Sequence, residues 1–459
     1  MIFKDFKDDL IYFFSEEYWD LFVFHTDKKM GILNSPPNNL PRKGMLLRMA
    51  IFLFGLFRSV INFSTINFSK RDTNNIQKSI LILSESDNEY NSTKFIESYS
   101  VESVIYCGAI KSGGSIPLRS YLYGALFLPL LPVRFIFCTQ EQRYLHKFLT
   151  DQFLLVMGWR AIQRNIYRTQ NISAVIYSNH LSPVSRSAVA MSRILSKACV
   201  IYIEHVPAME YYPHIEADIY CLSGQFSLNS LQEGTKVSGK DIYLVGSPKN
   251  DELNHRVKKN NHYYIGLAVN NTDDILLVRE MVAEILSKDK NFRVFIRPHP
   301  SFKNFKKLLD MSHSRLLVRS PDQESVNDYL RSISTLIVND SGIFFEGILS
   351  GVDVIRVKLS NEYLNNYGLP EEYSLLYDKS YREIVDYICS QKSSCEHRQQ
   401  KIKFFFSNIS TKFENNAADI SFNIISHHVQ RDVTIESKLH RYLSKEIHNG
   451  NRIYNYKSN

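Results

Sequence analysis

Apolar runs of four or five residues recur at 79–83, 104–107, 174–177, 199–203, 218–222 and 242–245, separated by longer helix-forming stretches such as 185–195. A strand with one wet face alternates polar and apolar side chains. Continuous Ile, Val and Tyr instead read as strands buried on both faces, the texture of a parallel sheet. Strand and helix in regular succession make a doubly wound α/β domain.

The pattern runs twice. Residues 246–262 (GSPKNDELNHRVKKNNH) are polar and charged, as an interdomain linker is, and the alternation restarts at 264–269. Further strands are expected at 293–296, 316–318, 335–338 and 354–357, with helices at 274–287, 325–332 and 343–349. A chain of 459 residues also exceeds what one core serves. The expected organisation is a helical extension over 1–75, a Rossmann-like acceptor domain over 76–248, and a linker over 249–262. A second Rossmann-like domain, the nucleotide-donor half, covers 263–425 with a last helical stretch from about 398, and a basic tail covers 426–459.

Ligands in such sheets bind beyond the carboxyl ends of the strands, so the residues that close each strand are the candidates. One strand ends in Arg297-Pro298-His299-Pro300: the prolines fix the backbone around His299, Arg297 can fork onto a phosphate, and His299 can donate to one or protonate a leaving group. A second strand ends in Asn339-Asp340-Ser341-Gly342 before a helix that carries Glu346. The Ser341 hydroxyl and the first amides of that helix suit a nucleotide phosphate, and Glu346, one turn in, suits ribose hydroxyls.

In the first half a strand ends in Glu204-His205-Val206-Pro207, where either ionisable group is placed to take a proton from an acceptor hydroxyl. The preceding strand closes in Tyr177-Ser178-Asn179-His180, and Ser182-Pro183 starts a helix bearing Arg186. His180, Ser182 and Arg186 are acceptor-site candidates, although N-capping alone explains Ser182. Gly246 and Ser247 close the last strand of this half and are candidate donor contacts.

The net charge of +8, from 55 Lys+Arg against 47 Asp+Glu, favours anionic partners. No clustered basic helix or RNA-binding motif points to nucleic acid. Six cysteines without C-x-x-C spacing exclude a zinc ribbon or disulfide framework and fit a reducing cytoplasm. The N-terminus lacks the pattern of a secretory signal. Two apolar runs, 49–57 and 120–133, fall short of a spanning length. The first, with Arg42, Lys43, Arg48 and Arg58, suits either an interfacial helix, giving peripheral contact through 42–58 on the inner face of the cytoplasmic membrane, or a helix packed on the core with its basic residues solvated.

The R-P-H-P strand end followed by an N-D-S-G strand end and a helix with E-G resembles the nucleotide-binding half of GT-B glycosyltransferases. It is most similar to polysialyltransferase and CDP-glycerol glycerophosphotransferase families of bacterial capsule, teichoic acid and lipooligosaccharide synthesis. The resemblance assigns an HP motif to His299 and Pro300 and a serine motif to Ser341, holding the phosphate of a cytidine nucleotide. Asp340-Ser341-Gly342 stands where those families show two adjacent serines. Glu204-His205-Val206 resembles the Q-H-G element of the CDP-glycerol enzymes, whose His is a candidate base. The implied activity is an inverting, metal-independent and cofactor-free transfer from a CMP-linked keto sugar such as CMP-sialic acid to a hydroxyl of a surface or lipid-linked glycan. A CDP-polyol phosphate transferase, a UDP-sugar transferase and a UDP-N-acetylglucosamine 2-epimerase-like enzyme are the alternatives. The epimerases open with a G-T-R-P-E type loop, whereas the first strand here leads to Ser84-Glu85-Ser86.

Overall fold

The computed structural model describes residues 2–15, 18, 21–22, 44–62, 78–100, 102–108, 118–205, 215–234, 240–251, 253, 264–270, 273–300, 302, 308, 310, 313–339, 341–360, 377–390, 416–430, 443–448 and 451–456. In chain order the elements begin with α1 (Ile2–Phe14), α2 (Met45–Asn62), β1 (Lys78–Leu83), α3 (Asp87–Thr93), α4 (Phe95–Tyr99) and β2 (Ser103–Cys107). There follow α5 (Leu118–Ala125), a 3-10 turn, α6 (Leu131–Phe137), α7 (Gln140–Thr169), β3 (Asn171–Tyr177), α8 (Pro183–Leu195), β4 (Cys199–Ile203), β5 (Ile219–Leu222), α9 (Gln225–Gly234) and β6 (Asp241–Leu244). After a 3-10 turn at Pro248–Asn250 the second unit runs β7 (Tyr264–Val269), α10 (Ile275–Lys288), β8 (Arg293–Pro298), β9 (Leu316–Val318), α11 (Val326–Arg331), β10 (Thr335–Val338), α12 (Ile343–Leu349), β11 (Asp353–Arg356) and α13 (Tyr381–Ser390). The chain closes with α14 (Ala417–Gln430), β12 (Leu443–His448) and β13 (Asn451–Tyr456).

The architecture is two Rossmann-like domains. Sheet one has the order β12-β13-β6-β5-β4-β3-β1-β2 and sheet two β11-β10-β7-β8-β9. Every pairing is parallel except that of β12 with β13. Burial on both faces explains the unbroken apolar runs: Leu81 and Leu83 enter the cluster that holds α7 and α8, while Ile80 and Ile82 enter the opposite one. The direction of strand order reverses between β1 and β3 in sheet one and between β7 and β10 in sheet two. These are the switch points where loops part to leave a crevice.

Three features differ from the sequence reading. The helices expected as an extension belong to the first core: Phe13 and Phe52 are buried in its cluster. Buried Asp9 on α1 accepts from Arg160 Nε at 3.0 Å, from Arg164, and from the Tyr123 hydroxyl at 2.7 Å. Second, the last helix packs on the first domain, not the second, through Ile424 and Ile425. Its first amides, Ala417 N–H and Ala418 N–H, are capped by the Asp251 carboxylate at 3.1 and 2.7 Å. The expected tail contains a hairpin whose β13 extends sheet one beside β6, with Tyr454 stacked on Tyr243 at 4.4 Å and Arg452 Nη2 donating to Asp241 at 2.6 Å. Third, the apolar run placed at 120–133 belongs to a longer segment, α5 and α6 joined through a turn and a 3-10 turn, and Leu118–Phe137, 20 residues, is long and apolar enough to cross a bilayer by length and composition. Of the linker expected over 249–262, residues 249–251 and 253 are described and the rest lies outside the described residues.

Candidate functional site

The crevice of sheet one is built at the ends of β1, β3 and β4. Gly108, at φ +147°, closes β2 so near β1 that a Cβ would stand 1.9 Å from the Ser84 carbonyl oxygen, which admits no larger residue there. Glu85 follows Ser84 and accepts a hydrogen bond from the Ser182 hydroxyl. Burial, reinforced by Glu89, pushes its carboxyl up to about 8, so it holds a proton at neutral pH. Glu89, itself raised by burial, accepts from Glu85 N–H at 2.8 Å, Ser86 Oγ at 2.8 Å and Asn179 Nδ2 at 3.1 Å. Asn179 Oδ1 in turn accepts from the amides of Leu181 and Ser182. Ser182 Oγ caps α8 by accepting from Val184 and Ser185 N–H. The Ser182 hydroxyl is thus committed to the cap of α8 and to Glu85.

Glu204 and His205 are neighbours with opposite fates. Glu204 is fully buried and accepts from Ser223 N–H at 2.6 Å and Ser227 Oγ at 2.8 Å, so it pins β4 to the start of α9. The carboxylate that the sequence offers as a candidate base is thus tied through Oε2 to the start of α9. Replacement by alanine strands the Ser223 amide and Ser227 hydroxyl and should cost about 3 kcal/mol in urea unfolding, while glutamine, which keeps an acceptor oxygen, costs far less. A Glu204→Ala enzyme of normal stability and lost turnover would reverse that assignment.

His205 is half-buried, with Nδ1 2.7 Å from the Ser178 carbonyl oxygen. A carbonyl only accepts, so Nδ1 carries the proton and Nε2 the lone pair. Burial first, then the Lys249 ammonium, lowers its pKa to about 4. His180 is buried, with Nδ1 3.4 Å from the Tyr202 hydroxyl, and burial, His205 and Arg186 hold its pKa well below the usual value. His180 and Arg186 line a cavity of about 850 Å³ between α1 and α8, together with Tyr12, Arg160, Val189 and Ile194.

On the other side, the His299 amide donates to the Val269 carbonyl at 2.8 Å, prolonging the β7–β8 ladder into the R-P-H-P turn. His299 and Pro300 stand exposed at the crevice, and desolvation lowers the His299 pKa. Arg297 is buried against the Tyr329 ring, with Nη1 3.9 Å from Glu324. Its Nη1 makes no hydrogen bond there, so the guanidinium is buried with a donor unspent, as a phosphate fork would have it before its ligand binds. Asn339 is a strut: Nδ2 donates to Asp273 at 2.8 Å and Ser360 at 3.2 Å, and Oδ1 accepts from Tyr377 at 3.3 Å. Ser341 and Gly342 open α12 half-buried, and Asp340 lies outside the described residues, as do Val206 and Pro207.

The two sides meet at Lys249. Gly246, at φ +85°, turns the chain out of β6, Ser247 is buried, and the following 3-10 turn presents Lys249, whose Nζ donates to Glu346 Oε1 at 3.1 Å. Phe226 of α9 and Leu253 pack into the cluster that holds α12. His205 therefore feels Lys249 and Lys249 binds Glu346, while burial lowers the Arg297 pKa and Glu324, Tyr329 and Glu346 oppose that fall only in part. The sequence reading missed Glu85 and Lys249. Their signals were position: one directly follows β1 at the switch point, the other follows Gly246-Ser247-Pro248.

No protein-family model and no curated protein matches the chain. Solved structures do. A UDP-N-acetylglucosamine 2-epimerase from Listeria monocytogenes is similar at TM-score 0.53 and 14% identity, over 77% of this chain and 97% of that one. The Neisseria meningitidis UDP-GlcNAc 2-epimerase bound to UDP-GlcNAc is similar at TM-score 0.50 and 13% identity, over 77% and 100%. The wall teichoic acid polymerase TagF stands at TM-score 0.46 and 11% identity, over 84% and 99%. The fold is GT-B. In this GT-B molecule His205 and Glu85 stand at strand ends of the first domain and Glu346, His299 and Ser341 at strand ends or the following helix of the second, and Lys249 joins the two sides through Glu346.

Proposed function

We propose that the chain is a glycosyltransferase that moves a sugar from a nucleotide-activated donor to a hydroxyl of a bacterial surface glycan. The observation that carries the reading is a neutral imidazole at the end of β4 beside Lys249, which reaches across to Glu346 on α12, the helix that follows the Ser341 motif. The acceptor hydroxyl gives its proton to His205 Nε2, its oxygen bonds to the anomeric carbon, and the bond from that carbon to the donor phosphate oxygen breaks, with inversion. His299, the Ser341 hydroxyl with Gly342, and Lys249 take up the negative charge of the leaving nucleotide, so the scheme calls for no metal or cofactor. Glu346 leaves Lys249 for the ribose hydroxyls when donor binds.

The R-P-H-P and Ser341 motifs favour a cytidine donor, CMP-sialic acid or a related CMP-keto sugar, with a CDP-polyol phosphate next. A UDP-linked donor, in a UDP-sugar transferase or an epimerase-like enzyme, is the second reading, favoured by the fold shared with the two epimerases. The acceptor is a capsule or lipopolysaccharide glycan on a lipid carrier at the cytoplasmic face of the membrane, His180 and Arg186 with their cavity being its candidate site, and nucleic acid is no partner.

A thermal-shift series with CMP, CDP, UDP, GDP and ADP tests the donor, because a nucleotide that binds only the folded state raises Tm by mass action, about 2.7 kcal/mol at a hundredfold excess over Kd. CMP or CDP should stabilise. A response to UDP alone, with conversion of UDP-N-acetylglucosamine to its epimer, would install the second reading.

A further inference from the structure

We infer that α2 and the 118–137 helical segment form one membrane-docking face that seats the protein on an anionic bilayer without crossing it. The inference rests on the membrane location proposed above but not on the chemistry. The two segments are adjacent: Phe52 of α2 packs on Tyr121 of α5 at 5.3 Å, and Arg48 pairs with Asp151 of α7 at 3.5 Å. Beyond these inward contacts the outward side chains are apolar. Leu46 is 77% exposed, Phe54 68%, Phe57 62%, Ile136 67% and Phe137 78%. Single exposed apolar residues are ordinary, but two neighbouring helices presenting them together mark a binding surface.

The charge pattern selects the occupant. Neither Met45–Asn62 nor Leu118–Phe137 contains Asp or Glu, and exposed Arg58, Arg119 and Arg143 border the face. An apolar face bordered by Arg58, Arg119 and Arg143 fits acyl chains below and anionic headgroups at the edge.

Packing decides between docking and crossing. A Cβ on Gly158 of α7 would stand 2.0 Å from the Ser120 carbonyl oxygen, so α5 lies backbone to backbone on the long helix of the first core. Tyr121, Phe127 and Leu131 are buried in that core, and the Arg134 guanidinium sits over the Tyr18 ring at 4.3 Å. A segment held along one side by the folded domain offers only its other side to lipid.

The test is flotation of the full chain with vesicles of equal phosphatidylglycerol and phosphatidylcholine, and with phosphatidylcholine alone, without donor or acceptor. Wild type should float with the anionic vesicles and be released by alkaline carbonate. Phe54→Asp/Phe57→Asp and Ile136→Asp/Phe137→Asp should each reduce the bound fraction at least about tenfold at unchanged Tm. Arg58→Glu/Arg119→Glu should abolish the preference for anionic lipid. Failure of wild type to float, unaltered flotation of either aspartate pair, or retention through carbonate would overturn the inference. So would a wild-type mass in solution twice that of the aspartate variants, which would make the face an interface between copies. Transfer activity in solution without flotation would sink this inference and leave the enzyme reading intact; flotation without nucleotide binding would do the reverse.

Discussion

Alanine at His205 should lower kcat about 10³-fold while leaving donor affinity within a few-fold of wild type, the signature of a lost general base. The expectation comes from the tautomer. Nδ1 is held by the Ser178 carbonyl at 2.7 Å, so Nε2 has no proton of its own and can accept one. The pH profile gives a sharper test. Burial and Lys249 lower the pKa to about 4, and the base is lost when the ring is protonated. In the free enzyme kcat/KM should therefore fall on the acid side around pH 4, not near the usual imidazole value. Lys249→Met removes one of the two causes and should move that limb to higher pH. Donor binding, which places phosphate charge beside the same ammonium, should move the limb of kcat upward in wild type for the same reason. An acid limb that ignores Lys249, together with normal turnover in His205→Ala, would remove His205 from the role of base.

The second large effect is expected at His299. Its backbone is locked by the Val269 hydrogen bond and by proline on either side, so the ring keeps its place at the crevice whether or not a nucleotide is present. A preorganised donor to a leaving phosphate is worth about 10²-fold or more in rate. His299→Ala should lose that factor in kcat/KM and also lose the Tm rise with the stabilising nucleotide, while its own stability without ligand stays near wild type because the side chain is exposed. A His299→Ala enzyme within a few-fold of wild type, still stabilised by nucleotide, would remove the imidazole from the phosphate site.

Much of the fold was legible. Strands 264–269 and 316–318 and helix 343–349 fall where the sequence put them, because a strand buried on both faces writes itself as an unbroken apolar run and the helix after it as a change of period. The hairpin of β12 and β13 was not legible. LSKEIH and NRIYNY carry neither an unbroken apolar run nor a clean alternation, so they resemble a basic tail until the partner strand is known. The site was legible as a set of strand ends but not as a set of directions. Glu204 and His205 are one residue apart, and successive side chains at a strand end leave on opposite sides, so sequence alone offered both as the base. That Arg297 is buried over the Tyr329 ring with Glu324 3.9 Å away was not legible, because both neighbours come from about 30 positions further on. Lys249 was read as linker because it lies in a polar stretch; only the arrival of Glu346 from the second domain gives it a role.

The Asp251 cap on α14 has a mechanical meaning. The chain passes from the first domain to the second beside Asp251 and is back on the first by Ala417, and one carboxylate ties the two places together. Paired crossings fixed to each other act as a door hinge, not a ball joint: the lobes can swing about one line but resist sliding or twisting across it. Opening and shutting of the cleft would then bring Lys249 and Glu346 back to the same register on every cycle.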